Sequence, residues 1–235
     1  MLNNISYNVL VPCRRGSQRI KGKNTKDFAD VEGGLLALKL RQLGESKYID
    51  TIIVSTDDEV VLEIANGVKA SISKEMIIEE RPAKFATSDR LDEFVEYVSQ
   101  IMPQGVCIWT HVTSPFFGSE QMDRMIEKYN SEVVNGDCDS LFTVTKEQTF
   151  TWDSKGQCIS HDRAQNKWPQ TQDLPPLYFA NSAAFVIEKN LMIAINDRIG
   201  ENPYMYEVDK MSGFDIDWPE DFILAEQIFK FRNQI

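Results

Sequence analysis

The stretch from Asn8 to Phe28 reads NVLVPCRRGSQRIKGKNTKDF, and the rest of the chain can be interpreted around it. The apolar run Asn8 to Pro12 predicts a buried strand, and Pro12 ends its hydrogen-bond ladder because proline has no backbone N–H. The loop that follows, CRRGSQRIKGKN, contains five cationic side chains and two glycines. Glycine lets backbone N–H groups approach oxygens closely, and arginine and lysine neutralise charge, so this loop is suited to wrap a polyphosphate.

The basic loop stands out against an acidic background. The formal net charge of the 235 residues is -11, which argues against general binding of nucleic acid or of anionic membranes. The loop matches neither GxxxxGK[ST] nor GxGxxG, the two common phosphate-binding patterns. A solvated basic turn without a ligand is therefore an open alternative.

Strand and helix patterns alternate outward from this loop. Further strands are predicted at Thr51 to Ser55, Ile77 to Ile78, Val106 to Thr110, Ser140 to Thr145 and Ala183 to Ile187. Helices are predicted at Leu35 to Leu43, Val60 to Ala65, Ser88 to Met102, Ser119 to Tyr129 with Ser119 as its N-cap, and Phe222 to Phe231, the last one amphipathic. This rhythm predicts an α/β fold with a parallel sheet covered on both faces and ligands at the carboxyl ends of its strands.

The expected domain organisation is a single domain, 1–235, with an excursion at about 146–177. Thr, Gln, Asp, Trp and Pro dominate this excursion, and helical periodicity is lost, which favours a hairpin-bearing lobe outside the sheet. Phe150, Trp152 and Trp168 lie in a stretch too polar to form its own core. We therefore expect a second subunit to cover them, and a homodimer is the simplest closed assembly.

The acidic turn Phe214 to Trp218 is the second chemical element. In an extended segment, Asp215 and Asp217 point to one side while Ile216 faces the core. Two converging carboxylates suit Mg²⁺, which commonly takes one or two carboxylates together with substrate phosphates. The alternative is that Asp217 caps the helix beginning near Pro219. A second acidic pair, Asp57 and Asp58, is expected to cap the helix after the second predicted strand.

The cysteines and the N-terminal sequence indicate the cellular compartment. The four cysteines are scattered without a CxxC pair, and there are two histidines, so a zinc site is not expected. The sequence shows no signal-peptide pattern and no long apolar run, so the expectation is a cytoplasmic protein with reduced thiols and no membrane partner.

The spacing RxxSxxxxxKN, formed by Arg14, Ser17, Lys23 and Asn24 after the first strand, resembles the nucleotide-binding loop of the acylneuraminate cytidylyltransferases, the CMP-sialic acid synthetases. Four further stretches agree in the same order. They are IIVSTDDEVVLEIA from Ile52, RPAKFATSD from Arg81, VTSPFF from Val112, and FDIDWPEDFILAE from Phe214. The resemblance therefore spans nearly the whole chain.

The resemblance implies a three-layer αβα Rossmann-like nucleotidyltransferase with a mainly parallel sheet and a small protruding dimerisation lobe. It implies transfer of CMP from CTP to an acidic sugar with release of pyrophosphate. The catalytic residues carried over are Arg14 and Lys23, and Ser17, Asn24 and Arg81 join them in nucleotide binding.

The resemblance also places the Mg²⁺ ligands at Asp215 and Asp217. For Arg81, a surface ion pair with Glu79 or Glu80 is the alternative that the sequence leaves open.

The acceptor region departs from the family pattern. HVTSPFF from His111 stands where the family commonly has QPTSPLR, and TQDLPPLYFANSAAF from Thr171 stands where it has RQxLPxxxRPNGAIY. Cations expected to pair with an acceptor carboxylate are thus replaced, among them by Phe117 and Phe179. The acceptor-binding candidates in these two stretches are His111, Thr171, Gln172, Tyr178 and Asn181.

The acceptor could therefore be sialic acid, another nonulosonic or ulosonic acid, or another anion such as a phosphonate. Lys146, Arg163 and Lys167 are candidates for replacement cations. Two further alternatives are a nucleotidyltransferase for another base and a catalytically reduced, nucleotide-binding relative. For His111, the alternative is a side chain that is solvated or hydrogen-bonded within the core and has no role in catalysis.

Overall fold

Seven strands form one sheet in the computed structural model, which describes residues 4–85 and 91–232. The strands are β1 (Tyr7–Pro12), β2 (Ile49–Thr56), β3 (Glu75–Glu80), β4 (Val106–Trp109), β5 (Ser140–Glu147), β6 (Leu177–Glu188) and β7 (Pro203–Val208). The helices of the described residues are α1 (Gly34–Glu45), α2 (Glu59–Lys69), α3 (Leu91–Ile101), α4 (Ser119–Tyr129), α5 (Lys189–Ile195) and α6 (Pro219–Arg232).

The strand order is β3-β2-β1-β4-β6-β5-β7. Strands β1 to β4 are parallel, β6 is antiparallel to both β4 and β5, and β7 is parallel to β5. Two clusters of buried apolar side chains pack between the sheet and the helices. The predicted α/β class with a mainly parallel, helix-covered sheet is confirmed.

Several predicted elements differ in extent. Strand β6 begins at Leu177 instead of Ala183, and its first residues are partly exposed, which hides the strand from a search for buried apolar runs. The helix α5 and the strand β7 were not predicted from the sequence. The helix α5 has only seven residues, and the strand β7 lies at the sheet edge and is only partly buried. The first residues of the predicted helix Ser88 to Met102, residues 88–90, lie outside the described residues.

Two predictions about helices need correction. The N-cap of α4 is Gly118 and not Ser119, because the Gln121 side chain accepts the Gly118 N–H at 3.2 Å from inside the first turn. The helix α6 is amphipathic only in part: Phe222 is buried, whereas Ile223 and Leu224 are exposed. By contrast, Asp58 caps α2 as predicted, with its carboxylate accepting the Val60 N–H at 3.0 Å.

A buried lysine on α1 fixes the turn that follows β4. Lys39 is fully buried, and its Nζ donates to the carbonyl oxygens of Ser114 and Phe117 at 2.8 and 2.7 Å. Burial lowers the pKa of Lys39 from 10.5 to about 7. These two hydrogen bonds tie α1 to the turn after β4. Thr113 of that turn lines a cleft at the carboxyl ends of β1 and β4.

Replacing Lys39 with Met should lower the free energy of unfolding by about 2–4 kcal/mol at pH 9, because two buried carbonyls lose their donor. Between about pH 7 and 10 the unfolded lysine holds a proton that the folded lysine has lost, so wild-type stability gains with rising pH. The difference between wild type and variant should therefore grow from pH 7 to pH 9.5 in denaturant titrations.

The matched control is Arg41→Met, which removes an exposed cation from the same helix and should change stability little. A Lys39→Met difference that stays constant over this pH range would mean that the folded Lys39 remains charged.

The excursion between β5 and β6 contains a hairpin and a cluster of aromatic side chains. Trp152 and Cys158 form an isolated antiparallel bridge, which closes the hairpin. The Phe150 and Trp168 rings lie 5.1 Å apart between centroids, and the Trp152 and Trp168 rings lie 6.2 Å apart. Trp168 is nevertheless 62% exposed, so much of its apolar surface faces outward.

Within residues 4–85 and 91–232, no helix combines the length and the apolar character needed to cross a membrane.

Candidate active site

A cleft of about 540 Å³ opens at the carboxyl ends of β1 and β4. Its wall includes eight of the residues that the sequence singled out: Arg14, Ser17, Lys23, Asn24, Arg81, His111, Asp215 and Asp217. Pro12 lies at the edge of the cleft, where β1 ends and the basic loop begins.

The basic loop is folded by tight turns. Gly16 and Gly22 both have positive φ, 83° and 63°, which glycine adopts without steric cost. The Gly22 carbonyl accepts the N–H groups of Thr25 and Lys26 at 3.0 and 2.9 Å. These turns keep the loop over the cleft, where Arg14, Ser17, Lys23 and Asn24 contribute to the wall.

The acidic segment before α6 meets the basic loop. Ile216 is fully buried, and its N–H donates to the Thr113 carbonyl at 2.9 Å, which anchors the segment beside the turn after β4. Lys23 Nζ donates to the Ile216 carbonyl at 2.6 Å and lies 3.8 Å from Asp217 Oδ1. The loop cation and both aspartates therefore share one wall of the cleft.

Asp215 is the more buried of the two aspartates. Burial and the neighbouring Asp217 carboxylate raise its pKa, while the polar side chains of Thr113 and Ser182 and the Lys23 ammonium act in the opposite direction. Its Oδ1 atom is buried and has no hydrogen-bond partner among the described residues. A buried carboxylate oxygen without a donor is costly unless a ligand completes its coordination.

Asp217 is half exposed and pairs with Arg19, whose Nη2 lies 3.2 Å from Oδ1. It does not cap α6. Asp221, inside the first turn of that helix, accepts the N–H groups of Asp217 and Trp218 at 3.0 and 2.7 Å. The alternative interpretation of Asp217 as a helix cap is therefore wrong, because its carboxylate pairs with Arg19 and Lys23 and accepts no backbone N–H among the described residues.

Arg81 is buried at the end of β3 rather than paired on the surface. Its Nη2 and Nε donate to the carbonyl and hydroxyl oxygens of Ser55 at 2.7 and 3.2 Å, and its guanidinium lies over the Phe94 ring at 4.4 Å. Burial lowers its pKa, with Asp57 acting in the opposite direction. The surface ion pair with Glu79 or Glu80 is wrong, because the side chain points inward to β2.

His111 follows β4 and lines the cleft. Burial, followed by the charges of Arg198, Lys23, Lys39 and Arg81, lowers the pKa of His111 to about 3. The imidazole is therefore neutral at pH 7, and it is too weakly basic there to be an effective general base.

The other four acceptor candidates do not line the cleft. Thr171 and Gln172 lie in a short 3₁₀ turn, exposed, and Tyr178 is exposed on β6. Asn181 is engaged within the sheet, where its Oδ1 accepts from the Thr143 hydroxyl at 2.6 Å and its Nδ2 donates to the Thr145 hydroxyl at 2.9 Å. In this single chain the structure does not bring these four residues to the cavity.

The structure adds wall residues that the sequence analysis did not select. They include Arg19, Phe85, Phe94, Trp109, Thr113, Ser182 and Arg198. Arg198 follows α5, which was itself missed, so no pattern in the sequence linked it to the basic loop. Of the candidate replacement cations, Arg163 lies over the Trp168 ring at 4.8 Å, within the excursion.

Comparisons with known proteins agree on one family. The chain matches the family model described as Cytidylyltransferase over residues 8–234. It is 27% identical over 234 residues to an N-acylneuraminate cytidylyltransferase of Streptococcus agalactiae serotype V, covering 91% of this chain and 51% of that protein. The chain thus spans about half the length of that relative.

Two similar proteins match nearly end to end. A pseudaminic acid cytidylyltransferase of Campylobacter jejuni serotype O:23/36 is 22% identical over 233 residues, covering 96% of this chain and 97% of that one. The solved structure of CMP:2-keto-3-deoxy-manno-octonic acid synthetase complexed with CTP superposes with a TM-score of 0.68 at 12% identity, covering 97% and 99% of the two chains. That structure supports the shared fold.

Proposed function

The chain belongs to the cytidylyltransferase family, and from that premise we propose that it transfers CMP from CTP to an acidic sugar with release of pyrophosphate. The observation that carries the proposal is the meeting of the basic loop and the two aspartates in one cleft, where Lys23 contacts the backbone between them. A site that combines several cations with a carboxylate pair suits a metal-bound triphosphate.

In the proposed reaction a hydroxyl oxygen of the sugar forms a bond to the α-phosphorus of CTP. The bond from that phosphorus to the bridging oxygen breaks, and pyrophosphate leaves with the electron pair. Arg14 and Lys23 hold the triphosphate and neutralise charge that grows on its oxygens. Because neutral His111 is a poor base, the hydroxyl proton leaves to water rather than to this imidazole.

Mg²⁺ is the cofactor that we propose for Asp215 and Asp217. The two residues fit it, since Asp215 Oδ1 has no partner among the described residues and Asp217 is held by an ion pair with half-exposed Arg19. Such exposed ion pairs contribute only about 0–1 kcal/mol to stability, so a divalent ion can displace the Arg19 guanidinium from Asp217. Bound there with the phosphates, the ion would stabilise their charge and favour ionisation of the acceptor hydroxyl.

The direct test is pyrophosphate release with CTP, Mg²⁺ and a panel of acids. The panel contains N-acetylneuraminic acid, pseudaminic acid and 2-keto-3-deoxy-manno-octonic acid. Thermal-shift ranking of CTP, UTP, GTP and ATP then tests the base. Stabilisation by CTP without pyrophosphate release from any acid would favour a catalytically reduced relative, and a stronger shift with another triphosphate would favour another base.

We further propose that the protein is a homodimer in which the excursion meets a second copy. Support comes from Trp168, 62% exposed, and from the neighbouring exposed Trp152 of the aromatic cluster. Replacing Trp168 with Asp should shift light scattering at micromolar concentration toward the monomer, because a charge would be buried in an apolar contact.

The control for the dimer is Ile223→Asp on α6, an equally exposed apolar residue outside the excursion, which should leave the mass unchanged. A wild-type protein that scatters as a strict monomer at high micromolar concentration would exclude the dimer.

A further inference from the structure

Arg198 places a cation in the cavity wall without a carboxylate partner. Its guanidinium lies over the Phe185 ring at 3.9 Å and over the Trp109 ring at 5.0 Å. Among residues 4–85 and 91–232, no carboxylate lies within 4 Å of it to form an ion pair. The adjacent Asp197 uses its Oδ1 to accept the N–H groups of Arg198 and Ile199.

A second hydrogen-bond donor in the cavity wall also lacks a partner. The indole Nε1 of Trp109 is buried and has no acceptor among the described residues, and Trp109 lines the same cavity. Its ring is one of the two against which Arg198 stacks. Leaving a buried N–H without an acceptor is unfavourable, so a ligand that supplies the acceptor is favoured here.

The Arg198 guanidinium and the Trp109 N–H both suit a carboxylate as ligand. Stacking on aromatic rings fixes the plane of a guanidinium and leaves its N–H edges free, which is the arrangement that recognises a carboxylate through two parallel hydrogen bonds. Burial lowers the pKa of Arg198, with the Asp197 charge acting in the opposite direction. The guanidinium is therefore partly removed from water, and a bound anion would stabilise its charge. Neutral His111 lies near enough for the Arg198 charge to depress its pKa.

Of the anions that the proposed reaction brings to the cleft, the triphosphate is assigned to the basic loop, which contributes Arg14, Ser17, Lys23 and Asn24 to the wall. The carboxylate of the acceptor is the anion that remains. We propose that Arg198, assisted by the indole N–H of Trp109, binds the carboxylate of the acidic sugar and so determines acceptor specificity. This inference rests on the proposed cytidylyltransfer.

The test compares each acid with its methyl ester, which keeps the sugar but removes the carboxylate charge. The probes are N-acetylneuraminic acid, pseudaminic acid and 2-keto-3-deoxy-manno-octonic acid, each with its methyl ester. Wild type should prefer the best acid over its ester by about 10- to 100-fold in kcat/KM, as expected for charge-assisted hydrogen bonds. Arg198→Gln should reduce this preference to about one- to threefold, while KM for CTP stays within about twofold.

Two further variants separate a direct contact from a structural effect. Trp109→Phe keeps the ring but removes the N–H, and should reduce the acid-to-ester preference about three- to tenfold. Arg198→Lys keeps the positive charge but lacks the planar guanidinium, and should give an acid-to-ester preference between those of wild type and Arg198→Gln. Arg124→Gln is the control, since it removes an exposed arginine that pairs with Glu120 on α4 and should leave the preference at the wild-type value.

Melting temperatures show whether each variant is folded; if Arg198→Gln is not, Arg198→Lys and Trp109→Phe decide the question. An unchanged acid-to-ester preference in the folded Arg198 variants would overturn the inference. So would a raised KM for CTP with an unchanged KM for the acid, which would assign Arg198 to the nucleotide. Wild type that releases pyrophosphate with none of the acids would contradict the proposed function itself, before any variant is compared.

Discussion

The Lys23→Ala variant should turn over at least about 100-fold more slowly than wild type. The Lys23 ammonium group joins the basic loop to the acidic segment by donating to the Ile216 carbonyl at 2.6 Å. Phosphate charge grows in the transition state, so removing a preorganised cation costs more there than in the ground state. Arg14→Ala should show a loss of similar size. Single-turnover rates measured at saturating CTP report this effect.

Lys21→Ala provides the matched control, because Lys21 is an exposed lysine of the same loop and does not line the cleft. Its turnover should stay within about threefold of wild type. Denaturant titration should show that Lys23→Ala remains folded. Near-wild-type turnover in both the Lys23 and the Arg14 variants would remove the basic loop from the active site.

The second large effect is expected from Asp217→Asn. The substitution keeps the side-chain size but removes one of the two negative charges proposed to hold Mg²⁺, so the metal and the acceptor hydroxyl should both be held less well. Turnover should fall by about 100-fold at limiting Mg²⁺, and higher Mg²⁺ should recover part of it. A Mg²⁺ titration of the pyrophosphate-release rate measures both effects.

Asp221→Asn separates the metal site from the helix cap. Asp221 accepts the N–H groups of Asp217 and Trp218, so its variant should change the stability of α6 slightly and leave the Mg²⁺ dependence as in wild type. If Asp217→Asn had wild-type turnover at limiting Mg²⁺, Asp217 would not be a metal ligand.

The sequence predicts the site best where a local pattern determines geometry. A buried strand that ends at Pro12 delivers the basic loop to the carboxyl ends of the parallel strands, and the alternation around Ile216 predicts that both aspartates point to one side. Both inferences depend on a few neighbouring residues, and the structure brings these elements into one cleft.

What the sequence does not predict depends on contacts between distant segments. Arg198 reaches the cleft because α5 and the strand β6 place it against Phe185 and Trp109, and neither the helix nor the full strand was recognisable. Asn181 was selected by position within a resembling motif, yet its side chain is engaged by Thr143 and Thr145 of β5. Correspondence of motifs does not reveal such cross-strand hydrogen bonds.

We propose that the cleft joins CMP to an acidic sugar, and one reaction with CTP, Mg²⁺ and the panel of acids tests this proposal. The CMP-sugar is quantified by mass spectrometry and the pyrophosphate by an enzymatic assay of the same reaction. We expect equal amounts of CMP-sugar and pyrophosphate from at least one acid, and neither product from the Lys23→Ala variant on the same timescale. Pyrophosphate released without a CMP-sugar, or no release with any acid, would contradict it.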